Sequence, residues 1–252
     1  MTILITGGTK GIGLAIAERL ARPGETLALA YRSDAAAAAA AKDRIAAKGA
    51  AVHAFRTDVG DIAAAAALID EVAKLSSTNV DSGPLHIVHS AAMIYPTSLL
   101  RADLARFTGA IHTNGLSLLY LVQPALPLLR RGSSIVFISS AGARQAQTGY
   151  AALGVGKALA ESLVRYLVPE LAPRGVRINA VAPGLVKTTS VANMLGSQEA
   201  AEQLYERAAR TNPSGRMSND DDYAAVVEFL LGPGAEFVQG QVIHANGGAY
   251  AG

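Results

Sequence analysis

The stretch Thr6-Gly7-Gly8-Thr9-Lys10-Gly11-Ile12-Gly13 decides the fold. It follows Thr2–Thr6, a short β-branched run, and opens an amphipathic stretch near 12–19. Between a strand and a helix, glycines let the chain turn tightly, let backbone approach a pyrophosphate, and let the helix pack against the strand. Gly7, Gly11 and Gly13 meet these needs, with Thr9, Lys10 and Ile12 between them. The helix start then offers unpaired N–H groups and the positive end of its dipole to a phosphate.

Outward from this turn, short apolar runs alternate with longer alanine- and leucine-rich stretches. The strand candidates are Thr2–Thr6, Thr26–Tyr31, Ala51–Arg56, Leu85–His89, Ser134–Ser139, Val176–Ala182 and Gln241–Ala245. Helical stretches lie near 12–19, 35–48, 61–75, 101–129, 150–171, 197–210 and 220–231. Strands that are apolar on both sides and separated by helices predict a parallel sheet covered on both faces. The expected architecture is α/β: one doubly wound (Rossmann) domain over 1–252, with seven parallel strands and helices on both faces. The longest stretch without a strand, Pro183–Met217, carries a short helix and reads as a substrate lid.

Composition narrows the function. With 22 basic and 20 acidic residues the net charge is +2, which points to neither nucleic acid nor an anionic membrane. The absence of cysteine removes disulfides, thiolate metal sites and cysteine nucleophiles. No apolar run reaches the roughly 18 residues that span a bilayer. The first strand candidate starts at Thr2, leaving no room for a signal peptide, so a cytoplasmic location is expected. His86 and His89, three apart on a strand candidate, should point to opposite faces, and no metal site is expected. Gly154 and Gly156 inside a helical stretch suggest close approach of a cofactor or a neighbouring subunit.

The spacing T-G-x-x-x-G-x-G resembles that of the short-chain dehydrogenase/reductase family, and the resemblance runs over the whole chain. It implies that Asp58 and Val59 bind adenine, that Asn114 is the helix-borne catalytic asparagine, and that Pro183, Gly184, Val186 and Thr188 hold the nicotinamide carboxamide. Gly240-Gln241 and Gly247-Gly248 match the last strand, with Asn246 where an aspartate is usual. His89-Ser90-Ala91-Ala92 replaces the family's Asn-Asn-Ala-Gly, so contacts through Ser90 and Ala91 should be mostly backbone. At the end of the second strand stand Arg32 and Ser33, with no acid until Asp34. An NAD site usually has a carboxylate there; Arg32, Ser33 and Lys10 suit a 2′-phosphate, so NADPH is the expected cofactor.

The family's Tyr-x-x-x-Lys is altered here. Leu153 stands four residues before Lys157, and the nearest upstream tyrosine is Tyr150, giving Tyr-x6-Lys. Seven residues turn a helix by about 700°, so both side chains would share a face, about 10.5 Å apart along the axis. This spacing resembles bacterial NADPH-dependent enoyl-acyl carrier protein reductases of the third type, as does Asn212-Pro213-Ser214-Gly215-Arg216-Met217. An enoyl thioester takes hydride at Cβ and develops its oxyanion farther away, which suits a displaced phenol. Ser140, counted back from Lys157, falls where carbonyl-reducing relatives place a catalytic serine. The first expectation is therefore enoyl-thioester reduction, with Tyr150 donating to the enolate and Lys157 holding the nicotinamide ribose. The alternatives are a ketoreductase using Ser140, Tyr150 and Lys157, and a non-catalytic NADP-binding sensor. The resemblance further implies an acyl-thioester or ketone substrate, possibly on acyl carrier protein, and a homotetramer or homodimer.

Overall fold

The central strand β1 (Thr2–Thr6) pairs in parallel with β2 (Thr26–Tyr31) on one side and β4 (Leu85–His89) on the other. With β3 (Ala51–Arg56), β5 (Ser134–Ile138), β6 (Arg177–Pro183) and β7 (Val242–Ala245) they form one seven-stranded sheet. Its order is β3-β2-β1-β4-β5-β6-β7, and every pairing is parallel. The order reverses between β1 and β4, where an open α/β sheet leaves a crevice at its strand ends. The computed structural model describes residues 1–77 and 83–250, so residues 78–82 and 251–252 of the expected domain span lie outside the described residues.

Alternation of side chains along each strand feeds two cores. On one face Leu4, Ile87, Phe137 and Ile178 pack under α3 (Ile62–Ser77), α5 (Ser117–Ala125) and α6 (Ala151–Leu171). On the other, Ile3, Ile5, Val88 and Val181 pack under α1 (Gly11–Leu20), α2 (Ala35–Ala46) and α9 (Asp220–Leu231). The sheet is thus a doubly wound Rossmann sheet with helices on both faces. No helix of the described residues is long and apolar enough to cross a membrane.

Three expectations need correction. The stretch 101–129 is not one helix. A 3-10 turn (Leu99–Arg101) precedes α4 (Leu104–Ile111), which Asp103 caps by accepting from Arg106 N–H at 2.9 Å. A π-helical turn (His112–Leu116) then joins α4 to α5, which holds Pro124 in its last turn, and Pro127 just past its end lacks the N–H that would extend it. Second, Pro183–Met217 holds two helices, α7 (Thr189–Leu195) and α8 (Gln198–Thr211). Gly196 at φ +75° ends the first, and Ser197 caps the second by accepting from Ala200 N–H at 3.0 Å. Third, α6 starts at Ala151, so Tyr150 precedes the helix and is not on its face.

Candidate active site

The glycine turn closes on itself. A Cβ at Gly13 would overlap the Gly7 carbonyl, and one at Gly7, already at φ +65°, would lie 3.0 Å from the Ala91 backbone. Only glycine permits this packing of α1 on β1 and β4. Lys10, at the N-cap of α1, provides no side-chain cap, so the first N–H groups of the helix remain directed at the crevice. Thr188 reaches over the turn: a Cβ at Gly11 would lie 3.4 Å from Thr188 Cγ2. The segment from Pro183 is anchored by Gly184 N–H, which donates to Ala245 O at 2.9 Å, and Val186 is buried. The structure therefore brings Gly7, Gly11, Gly13 and Thr188 together around the helix start, a cradle that fits a dinucleotide pyrophosphate.

At the end of β2, Arg32 and Ser33 are exposed. Lys10 pairs with Asp34, whose carboxyl also caps α2 by accepting from Ala37 N–H at 2.9 Å. The Lys10 hydrogen bond, then that cap, holds the Asp34 carboxyl below the usual carboxylate range. No ion pair engages Arg32 among the described residues. Beyond β3, Asp58 accepts from Gly60 N–H at 3.0 Å and Val59 is buried. Ser90 N–H donates to Thr6 O at 3.2 Å and Ala91 N–H to Thr6 Oγ1 at 3.2 Å, so both follow the end of β1.

The candidate catalytic residues Ser140, Tyr150 and Lys157 lie where β5 is followed by α6. Tyr150, at φ −99° and ψ 0°, opens α6 with its carbonyl, which accepts from Gly154 N–H at 2.8 Å. Its phenol turns back, and its oxygen lies 3.1 Å from Ser140 Oγ. Ser140 Oγ also accepts from Gly142 N–H at 3.1 Å. Burial raises the Tyr150 pKa, and the Ser140 hydrogen bond opposes this. Lys157 is buried, donates to Ile138 O at 2.7 Å and sits 4.4 Å from the Phe137 ring centre. Burial alone pushes its ammonium down to about 7.

Asn114 lies in the π-helical turn with its amide fully engaged by backbone. Its Oδ1 accepts from Met93 N–H at 2.7 Å, while Nδ2 donates to Met93 O at 2.8 Å and Ala152 O at 3.2 Å. Gly154 and Gly156 do admit close neighbours, but these come from the same chain. A Cβ at Gly154 would come 2.5 Å from Gly142 O, and one at Gly156 would come 2.5 Å from Asn114 Cβ.

Sequence reasoning missed His89 as a structural link. Its Nε2 lies 2.6 Å from Ser117 Oγ, which donates to Thr113 O at 2.7 Å, and its Nδ1 lies 2.5 Å from Thr6 Oγ1. Because Ser117 gives its proton to Thr113 O, the ring N–H belongs on Nε2 and Thr6 donates to Nδ1. Burial, then the Lys157 charge, pushes His89 down to about 3, so the ring is neutral. His86 faces the other side, where its Nδ1 accepts from Ser134 N–H at 3.1 Å. Also missed was Glu161, buried one helical turn beyond Lys157 and paired with Arg144 at 3.0 Å. The signal was in the sequence: an acid four residues after a buried lysine shares its helix face.

Known proteins share this sequence and fold. Residues 7–250 match the family model described as "Enoyl-(Acyl carrier protein) reductase". Over 250 residues the chain is 32% identical to 3-oxoacyl-[acyl-carrier-protein] reductase FabG of Staphylococcus aureus, covering 98% of this chain and 97% of that protein. It is also 32% identical over 260 residues to 1-cyclohexenylcarbonyl-CoA reductase of Streptomyces collinus, covering 97% of this chain and 85% of that protein. A short-chain dehydrogenase from Burkholderia cenocepacia J2315, crystallised in complex with NADP, superimposes with a TM-score of 0.85 at 30% identity, covering 99% of this chain and 97% of that one. The chain belongs to the short-chain dehydrogenase/reductase family and is an NAD(P)-dependent oxidoreductase.

Proposed function

We propose that the protein is an NADPH-dependent ketoreductase acting on a 3-oxoacyl thioester or a similar small ketone. The observation that carries this reading is the pairing of the Tyr150 and Ser140 hydroxyls at 3.1 Å, with Ser140 two residues beyond the Ile138 carbonyl that the buried Lys157 meets. NADPH, when bound, supplies a hydride to the carbonyl carbon. Tyr150 gives its proton to the carbonyl oxygen as the alcohol forms, and takes another from solvent before the next turnover. A phenol whose pKa is raised keeps its proton at neutral pH, as reduction requires. Ser140 orients that phenol by donating its Oγ–H to the phenol oxygen, which leaves the Tyr150 proton free for the carbonyl. Lys157 holds the nicotinamide ribose. Asn114 acts through the bridge from Met93 to Ala152, a positioning role that keeps the start of α6 against the β4 end.

The glycine turn and the N-terminus of α1 take the pyrophosphate, Asp58 and Val59 the adenine, and Pro183–Thr188 the carboxamide. Arg32, with Ser33, takes the 2′-phosphate. Lys10 is secondary because it shares its charge with Asp34. The segment 183–217 acts as a lid whose far end is fastened by Asn212 Nδ2, which donates to Asn246 O at 2.9 Å. Acyl carrier protein as substrate carrier and a homo-oligomeric assembly belong to the same reading.

Enoyl-thioester reduction is the second reading. The Tyr-x6-Lys spacing and the name of the Streptomyces relative favour it. Carbonyl reduction takes precedence because Ser140 is present and bonded to Tyr150, and because it is the activity named for the Staphylococcus relative. The test is NADPH oxidation with acetoacetyl-CoA beside crotonyl-CoA, two four-carbon thioesters. A kcat/KM at least tenfold higher on acetoacetyl-CoA supports carbonyl reduction, and the reverse order supports the enoyl reading.

A further inference from the structure

Residues 140–150 form an arc that begins at one reacting hydroxyl and ends at the other. The arc is tied down by a carboxylate outside it. Glu161 is buried on α6; its Oε1 accepts from Ser139 Oγ–H at 2.6 Å and its Oε2 accepts from Arg144 Nε–H at 3.0 Å. Ser139 is itself fixed just beyond the end of β5, donating its N–H to Val181 O at 2.7 Å. The first residue before the arc and a residue in its middle are thus held by the two oxygens of one side chain. The remaining contacts show how little slack is left. A Cβ at Gly142 would overlap the Tyr150 ring, and Gly142 O faces Gly154 so closely that a Cβ there would come within 2.5 Å.

A buried ion pair contributes little net stability compared with a well-packed apolar substitute, while fixing geometry closely. A carboxylate at position 161 is not needed to fill space beside Val164 and Ala160, which are apolar and buried. Its two oxygens instead meet two donors that flank Ser140. We infer that Glu161 is a positioning residue of the reaction, acting through Ser139 and Arg144 to hold the arc so that the Ser140 and Tyr150 hydroxyls stay paired. The inference rests on the reading of Ser140 and Tyr150 as the reacting pair.

The test uses Glu161→Leu, Glu161→Gln and Arg144→Met in the full chain, each alone and combined with Tyr150→Phe. Turnover with acetoacetyl-CoA, or with crotonyl-CoA if that is the better substrate, is measured beside NADPH affinity by calorimetric titration. Glu161→Leu is expected to lower kcat 30-fold or more, with NADPH affinity within threefold of the parent. Glu161→Gln keeps an acceptor for Ser139 and should lose less, about tenfold. Arg144→Met should match Glu161→Gln, since both break the arm of the clamp that joins position 161 to position 144. In the Tyr150→Phe background all three changes should cost less than threefold, which a general loss of folded structure would not produce. If Glu161→Leu does not fold, Glu161→Gln and Arg144→Met decide the matter in the same way. Parent-like kcat in these variants, or equal losses with and without the Tyr150 hydroxyl, overturns the inference while the reacting pair stands. Parent-like turnover in Tyr150→Phe alone overturns the reading of the pair, and the inference with it.

Discussion

The Tyr150 phenol oxygen lies 3.1 Å from Ser140 Oγ, although Tyr150 stands outside the helix that carries Lys157. The tyrosine reaches the serine because its backbone, at φ −99° and ψ 0°, turns just before α6 begins. A displaced tyrosine in sequence therefore remains a close partner of the serine in space. The position ordinarily given to the tyrosine is filled by Leu153, which is buried.

Removing the serine tests the partnership. Ser140→Ala should lower turnover about 100- to 1,000-fold, within the range for losing one polar group from a reacting centre. NADPH affinity should stay within threefold, as calorimetric titration with the variant would show.

Cofactor choice should rest on Arg32. A charge-assisted contact to phosphate contributes about 1.5–3 kcal/mol, so NADPH should bind at least about tenfold more tightly than NADH. Arg32→Ala should remove most of that preference. Lys10→Ala should remove less, because Lys10 divides its charge with Asp34. Titration of each variant with both nucleotides checks the order.

Stability should fall in acid before the carboxylates titrate fully. His86 is pushed down to about 4 and His89 to about 3, each mainly by burial. Between those values and the ordinary value near 6.5 the unfolded chain binds more protons, so stability rises with pH. It is complete above about 6.5 and is lost as pH falls toward 4 and then 3. By these shifts His86 contributes on the order of 3 kcal/mol and His89 on the order of 5 kcal/mol to this window. Denaturant titrations at pH 7, 5.5 and 4.5 should give steadily lower unfolding free energies, with a shallower slope in His86→Gln.

The crossing of the π-helical turn over α6 should not tolerate a methyl group. In Gly156→Ala the new Cβ would meet Asn114 Cβ at 2.5 Å, and Gly115 already faces the Gly156 carbonyl. Overpacking of this kind costs about 1–3 kcal/mol, or a drop in Tm of roughly 2–12 °C for a chain of this size. Because Asn114 bridges to Ala152, turnover should fall as well.

Much of this was readable in the sequence, for physical reasons. The interior strands were readable because buried parallel strands are apolar on both sides and short, and β2 matches to the residue, while the half-exposed edge strand β3 was readable from its alternation of apolar and polar residues. The glycine turn was readable because its close contacts admit no side chain. The break of 101–129 was not, since the polar His112-Thr113-Asn114-Gly115 reads equally well as one turn of a continuous helix, and its crossing with Gly156 exists only in the fold. The Tyr150 geometry was not readable either. A helical projection assumes that both residues lie in the helix, and Tyr150 does not. The Lys10–Asp34 pair was hidden because each residue alone fits another role, phosphate binding for one and helix capping for the other.

The central claim is that Tyr150, not a residue at the ordinary position, protonates a carbonyl oxygen. The direct measurement is the turnover of Tyr150→Phe with NADPH and acetoacetyl-CoA, taken with NADPH affinity in the same preparation. Loss of the proton donor should lower kcat by about 10³-fold or more while the ring keeps its packing and NADPH affinity stays within threefold. Turnover within tenfold of the parent, or its restoration by adding Leu153→Tyr, would contradict the account.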